Sequence, residues 1–355
     1  MAKILIKGGR VWDGVTFSYK DILTDGEIIA DISDNITEKA DIVFDATGKT
    51  VSAGLVDMHV HIRGISCNAF GTQGECSCFP FGVTAAADGG ASLGDEALLD
   101  TFMLKMLVFV SVEIRDGEPI FDEALENMKK YGRRLVGVKV YYDASSGKKF
   151  GIDALEKICE FAHERGLIVM VHCSGSPTDM ASILDTLGKG DVLTHAFHGG
   201  KHNAAEDGYA SMRRAMERGV IIDVGYAGYV HTDFKVLGGA LDCGIVPDVI
   251  STDITRLSAF IRGGRYGITM CMSIARSLGM SEEDIFRAVT TAPAAALGMS
   301  DKWGCLKVGG TADIAILDYT NETYDLTDIS GNRITSDIGY RCAVTIADGE
   351  IVYVD

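Results

Sequence analysis

At 355 residues the chain can bury a substantial core as one large domain or two, and a hydrophobic share of 47% sets it apart from disordered sequences. A formal net charge of -17 disfavours nucleic acid and anionic lipid as partners, and no uninterrupted run of about 18 apolar residues is present to span a membrane. The opening MAKILIKGGR has no signal-peptide core, so the expectation is a cytoplasmic protein acting on a small molecule, with a homo-oligomer left open.

The first fifty residues read as short strands and turns. KILIKGGRVW, DILTDGEIIADIS and ADIVFDATGKTVSAG alternate apolar and polar residues, with Gly and Asp at the turns. The last fifty read the same way in GGTADIAILDY and CAVTIADGEIVYVD. Chain termini often lie close together, so 1–53 and 305–355 are expected to form one small β-sandwich domain; two unrelated edge hairpins are the other reading.

The middle, 54–304, behaves differently. Short apolar runs appear in the order GLVDMHVH, GVTAAADGG, MLVFVSVE, LVGVKVYYD, LIVMVHCSG, DVLTHAF, GVIIDVG and PDVISTDI. Helix-period segments such as IDALEKICEFAHERG and YASMRRAMERG lie between them, each closing on a basic last turn and a Gly. Eight β-runs with connections predict an α/β fold, a (β/α)8 TIM barrel. An open doubly wound sheet is the alternative, disfavoured because no G-x-G-x-x-G follows the first strand.

Barrel enzymes carry their chemistry at the C-terminal ends of the strands. Run one ends in His59 and His61, run four carries Lys139, run five ends in His172, run six in His195 and run eight in Asp253. Runs two, three and seven offer Asp88, Glu113 and Asp223. Taken singly, a strand-end histidine is ordinary hydrogen-bonded structure, and a lysine can face outward or pair with an acid such as Asp143. Taken together, they converge on one rim. Positions i and i+2 of a strand share a face, so His59 and His61 present two imidazoles side by side while Val60 packs outward. Imidazole and carboxylate are zinc ligands, and Asp253 completes a first site. His172 and His195 offer a second. Two cations need an anionic bridge, and no carboxylate ends run four. A buried lysine tends toward its neutral amine, which can take up CO2 as a carbamate, so Lys139 is expected as N6-carboxylysine bridging two divalent ions, zinc foremost.

These residues, with the flanking VSAGLVDMHVHI, ISTDI, TTAPAAALG and CLKVGGTADIAILD, resemble the amidohydrolase superfamily with a binuclear metal centre. ECSCFPFGVTAAADGGA, RLVGVKVYYD, VMVHCSGSP and LTHAFHGGKHN are similar in layout to its dihydroorotase-like amidohydrolase/deacetylase group. The resemblance implies hydrolysis of an amide or ester bond by a hydroxide shared between two metals, with Asp253 as general base and then acid. Three departures stand out. Tyr226-Ala227 replaces the group's His-Gly after run seven, Thr255 replaces a histidine two residues after Asp253, and His61 is followed by Ile62 and Arg63. In true dihydroorotases the matching arginine holds a substrate carboxylate; a surface arginine is the plain reading here. Arg63, His198, Lys201, Tyr226 and Arg256 are the expected substrate contacts, and His231 is left unassigned. A nucleobase deaminase is the alternative enzyme, and a non-catalytic metal-binding protein the alternative without turnover. Nine cysteines without a C-x-x-C motif give no disulfide frame; Cys67, Cys76 and Cys78 read as small buried or loop thiols.

Overall fold

The computed structural model describes residues 2–355 apart from 146, 148, 229, 262–264, 321 and 322. Strands from both termini build one sheet. It contains β1 (Lys3–Trp12), β2 (Phe17–Asp25), β3 (Ile28–Ser33), β4 (Ile42–Asp45) and β5 (Thr50–Ala53) from the start of the chain. The barrel strands follow: β6 (Leu55–Val60), β7 (Val83–Ala91) and β8 (Lys105–Val112), then, past a short hairpin of β9 (Ile114–Arg115) and β10 (Glu118–Pro119), β11 (Leu135–Tyr141), β12 (Ile168–His172), β13 (Val192–Thr194) and β14 (Ile221–Asp223). The chain returns through β15 (Ile314–Thr320), a two-stranded arm of β16 (Tyr324–Thr327) and β17 (Arg333–Ser336), and finally β18 (Gly339–Ala347) and β19 (Glu350–Val354). The terminal sheet runs β19-β18-β15-β5-β1-β2-β3, with β4 also pairing β1. Its own core is aliphatic, with Ile4, Ile6, Ile22, Val51, Ile314 and Ile346 buried together.

The fold is an α/β barrel with this second sheet beside it. The barrel strands pair in parallel in the order β14-β13-β12-β11-β8-β7-β6. Every residue of β6 and β7 is buried, as expected of strands covered on both faces. The eighth run closes the ring without becoming a regular strand. It touches its neighbours through isolated bridges, Asp223 with Val249 and Val60 with Ile254. Backbone bonds to both neighbours remain, such as Asp253 N to His59 O, and side chains supply others: Thr252 N donates to Asp57 Oδ1 at 3.1 Å, and Ile254 N donates to Thr252 Oγ1 at 3.0 Å. The two helical segments read from the sequence form helices Ile152–His163 and Ala210–Arg218. Gly219, at φ 90°, ends the second in the left-handed conformation that glycine adopts without strain.

Val56, Met58, Ala85, Ala87, Leu107, Phe109, Met170, Val192 and Val249 belong to one apolar cluster. Strands on opposite sides of a ring can share such a cluster only through its interior. The barrel is therefore plugged, and polar residues collect at its C-terminal rim. Lys105, at the opposite end of β8, reaches Asp313 Oδ1 at 2.7 Å and Asp348 Oδ1 at 2.9 Å, joining the barrel floor to the terminal sheet. Among the described residues no helix is long and apolar enough to cross a membrane. All nine cysteines are free; Cys67 and Cys76 are exposed and Cys78 is buried.

Candidate metal centre

Six residues expected to act together do meet at the rim. His59, His61, Lys139, His172, His195 and Asp253 are all buried, Lys139 completely. Asp253 is the hub. Its Oδ1 lies 3.0 Å from His61 Nε2 and 3.4 Å from His59 Nε2, and its Oδ2 lies 3.7 Å from His195 Nε2. Lys139 Nζ lies 2.8 Å from His59 Nε2. The backbone is bent to achieve this, since His195 (φ 71°) and Asp253 (φ 46°) both take the left-handed conformation. Such residues cost of order 1–3 kcal/mol each and gather at functional sites.

Contacts behind the rings orient them. Ser66 Oγ donates its one proton to Asp88 Oδ1 at 2.7 Å, so His61 Nδ1, 2.9 Å from Ser66 Oγ, is the donor of that pair. His195 Nδ1 donates to Gly225 O at 2.7 Å. His59 Nδ1 sits 3.2 Å from Thr194 Oγ1 and 3.6 Å from Asp223 Oδ2. Each of these three rings turns its Nε2 toward Asp253. Burial also pushes His59, His172 and His195 well below the ordinary imidazole value, helped by Lys139 and neighbouring rings. Neutral imidazoles are what metal ligation needs. Three ring nitrogens crowd one carboxylate, and His195 Nε2 is buried without a hydrogen bond among the described residues, a need that a cation between them would meet. The donor set fits a divalent cation.

Among the described residues, two groups of three have ligand atoms within 4.8 Å of one another: His59, His61 and Asp253, and His172, His195 and His231. The last member was not assigned from the sequence. His231 sits in the loop after β14, away from any strand end, and no local pattern marks it. Its ring centroid is 4.3 Å from that of His195 and 5.0 Å from that of His172. Ser66 and Thr194, which lie against two of the rings, were equally invisible, because a serine or threonine beside a histidine is unremarkable in a sequence. Of the other strand-end acids, Asp88 and Asp223 are buried behind the rings. Glu113 is exposed and pairs with Arg115 at 3.0 Å, because β8 ends one residue before it. Burial lowers Lys139 to about 8, opposed by Asp253, Asp223 and Asp88.

The rim opens into a cavity of about 460 Å³. Phe70, Val230 and Leu257 give it apolar walls, Tyr141 and Thr255 add hydroxyls, and Asp143 adds a carboxylate. None of the five expected substrate contacts is among its lining residues. Arg63, Lys201 and Arg256 are exposed. β6 ends at Val60, and the chain then turns so that Arg63 N donates to Thr72 O; the strand alternation that would aim Arg63 inward is lost. Tyr226 is buried in the core, leaving Ala227 to line the cavity in its place. His198 is buried, with Nδ1 accepting from Gly200 N at 3.0 Å.

Residues 50–352 match the amidohydrolase family. A protein of Brucella anthropi named deacetylase is 29% identical, with 88% of this chain and 82% of that protein aligned. A crystal structure of a dihydroorotase superposes with a TM-score of 0.87 at 25% identity and covers all of both chains. That of an adenine deaminase superposes with a TM-score of 0.81 at 25% identity over 99% of each. The chain belongs to the amidohydrolase family, as a hydrolase of carbon–nitrogen bonds other than peptide bonds.

Proposed function

We propose that the protein hydrolyses an acyl C–N or C–O bond in a small amide or ester, a deacetylase or cyclic-amidase reaction. Two divalent cations, zinc foremost, would be held by His59, His61, Lys139, His172, His195 and Asp253. The observation that carries this reading is the set of three imidazole Nε2 atoms turned on one buried carboxylate at 3.0–3.7 Å. Bound there, divalent cations polarise a carbonyl and bring the pKa of water near neutral.

The remaining steps belong to the chain. Asp253 accepts a proton from the attacking water and returns it to the departing nitrogen or oxygen, so one carboxylate is base and then acid. Lys139 is buried and its pKa lowered to about 8, so far more free amine is present near neutral pH than for an exposed lysine. That amine adds to CO2 and releases one proton, forming N6-carboxylysine, whose single negative charge is shared by two oxygens. Phe70, Val230 and Leu257 offer an apolar wall to an acyl or ring substituent, and Asp143 accepts from an N–H at the rim.

Deamination of a nucleobase is the second reading, favoured by the full-length likeness to an adenine deaminase structure. One experiment separates the two. Zinc-loaded protein is offered N-acyl amino acids, cyclic ureides, acyl esters and purines, and carboxylate and ammonia are assayed. Metal-dependent carboxylate release is expected. Ammonia from a purine would overturn the acyl reading, and no turnover by a metal-loaded protein would leave a binding function.

A further inference from the structure

We infer that His231 is a third imidazole donor at the cation position of His172 and His195, so that this position is complete without Lys139. The inference rests on the two-cation reading above. The three rings form a compact triangle, with centroid separations of 4.6, 5.0 and 4.3 Å. One nitrogen of each lies within 4.8 Å of the others.

His231 reaches this point because the chain doubles back. Ala227 (φ 49°) and Gly228 (φ 77°), four and five residues past the end of β14, take left-handed conformations. Tyr226 N and Ala227 N donate to Ser251 O and Thr252 O, pinning the turn to the eighth run. Asp233 N donates to Phe197 O at 2.8 Å and ties down the exit. One residue then orients two rings. Ser174 Oγ lies 3.0 Å from His231 Nδ1, and Ser174 O accepts from His172 Nε2 at 3.1 Å. A partner on one ring nitrogen fixes the plane in which the other can bind a cation.

The two positions then differ in chemistry. His59, His61 and Asp253 supply two nitrogens and a carboxylate, whereas His172, His195 and His231 supply three neutral nitrogens. Three imidazoles with one open position suit zinc, cobalt, nickel or copper better than magnesium or calcium. With His172 and His195 alone, losing Lys139 would leave two protein donors. With His231 three remain, enough to retain the ion.

The test counts metal rather than turnover. Wild type, K139A, H231A and the K139A/H231A double variant are loaded with zinc, freed of excess and analysed for metal content. Visible absorption of Co2+-loaded protein reports the donor set directly. Two equivalents are expected in wild type and K139A, and one in the double variant. H231A should bind one of its two ions at least tenfold more weakly and shift the cobalt bands. H231Q and S174A serve if H231A folds poorly; H231Q should reproduce the loss and S174A a smaller part of it. The inference is overturned if K139A alone falls to one equivalent, or if the double variant matches K139A with an unchanged cobalt spectrum. Wild type without metal would instead remove the two-cation reading itself.

Discussion

Gly89 lies against His59, and replacing it with alanine tests how tightly that ring is held. The φ of Gly89 is not in the left-handed region, so the added methyl acts by contact alone. A Cβ at position 89 would stand 2.3 Å from His59 Cδ2 and 2.8 Å from Nε2. Carbon atoms rest about 3.5 Å apart, so the ring must retreat by roughly 1.2 Å. Thr194 Oγ1 at 3.2 Å and Lys139 Nζ at 2.8 Å brace it on both nitrogens. Overpacking of this kind costs about 1–3 kcal/mol. If the apo protein relieves that strain by displacing the ring, cation binding must restore it. The same energy then appears as roughly 5- to 150-fold weaker affinity. Competition with a chromophoric zinc chelator measures it. Gly238 is the control: it lies in helix Phe234–Asp242 with nothing within 4 Å of its would-be Cβ. G238A should leave zinc affinity unchanged and stabilise by about 0.5–1 kcal/mol. Wild-type zinc affinity in G89A would refute the placement of His59 as a ligand.

Asp253→Asn keeps a residue type that tolerates left-handed backbone, so the fold and most of the metal should survive while turnover drops by about 10²–10⁴-fold; unchanged kcat would remove the proton-transfer role. Lys139→Ala should lose activity that acetate or propionate partly restores, and an absence of rescue would remove the carbamate. Lys105→Ala leaves Asp313 and Asp348 without their shared cation and should destabilise by about 2 kcal/mol near neutral pH, read by urea unfolding. Burial raises the pKa of Asp313, with Lys105 opposing it, so the folded state favours the protonated carboxyl. The penalty of K105A is therefore small below the unfolded pKa of about 3.9 and grows as pH rises through the higher folded value. A penalty constant from pH 4 to 7 would show that Lys105 acts through packing alone.

The apolar runs of the middle segment and the alternation at both ends determined the α/β barrel with a second sheet from the two termini, because a two-residue repeat and a 3.6-residue repeat bury different faces. The rim set was legible for the same reason. A polar residue ending a run that is otherwise buried is costly, and six such residues at one rim have a common explanation. What failed to read was whatever depends on the chain leaving its strand. Arg63 lies one strand period beyond His61, yet the strand has already ended and its side chain faces solvent. His231 lies eight residues past the end of β14, yet a turn through Ala227 and Gly228 returns it to His195. The ring orientations rest on Ser66, Asp88, Thr194 and Gly225 O, contacts made across neighbouring strands and loops. Periodicity is a local property of the backbone and is written in the sequence. Loop reversal and cross-strand hydrogen bonding join residues far apart along the chain, and only the folded barrel decides them.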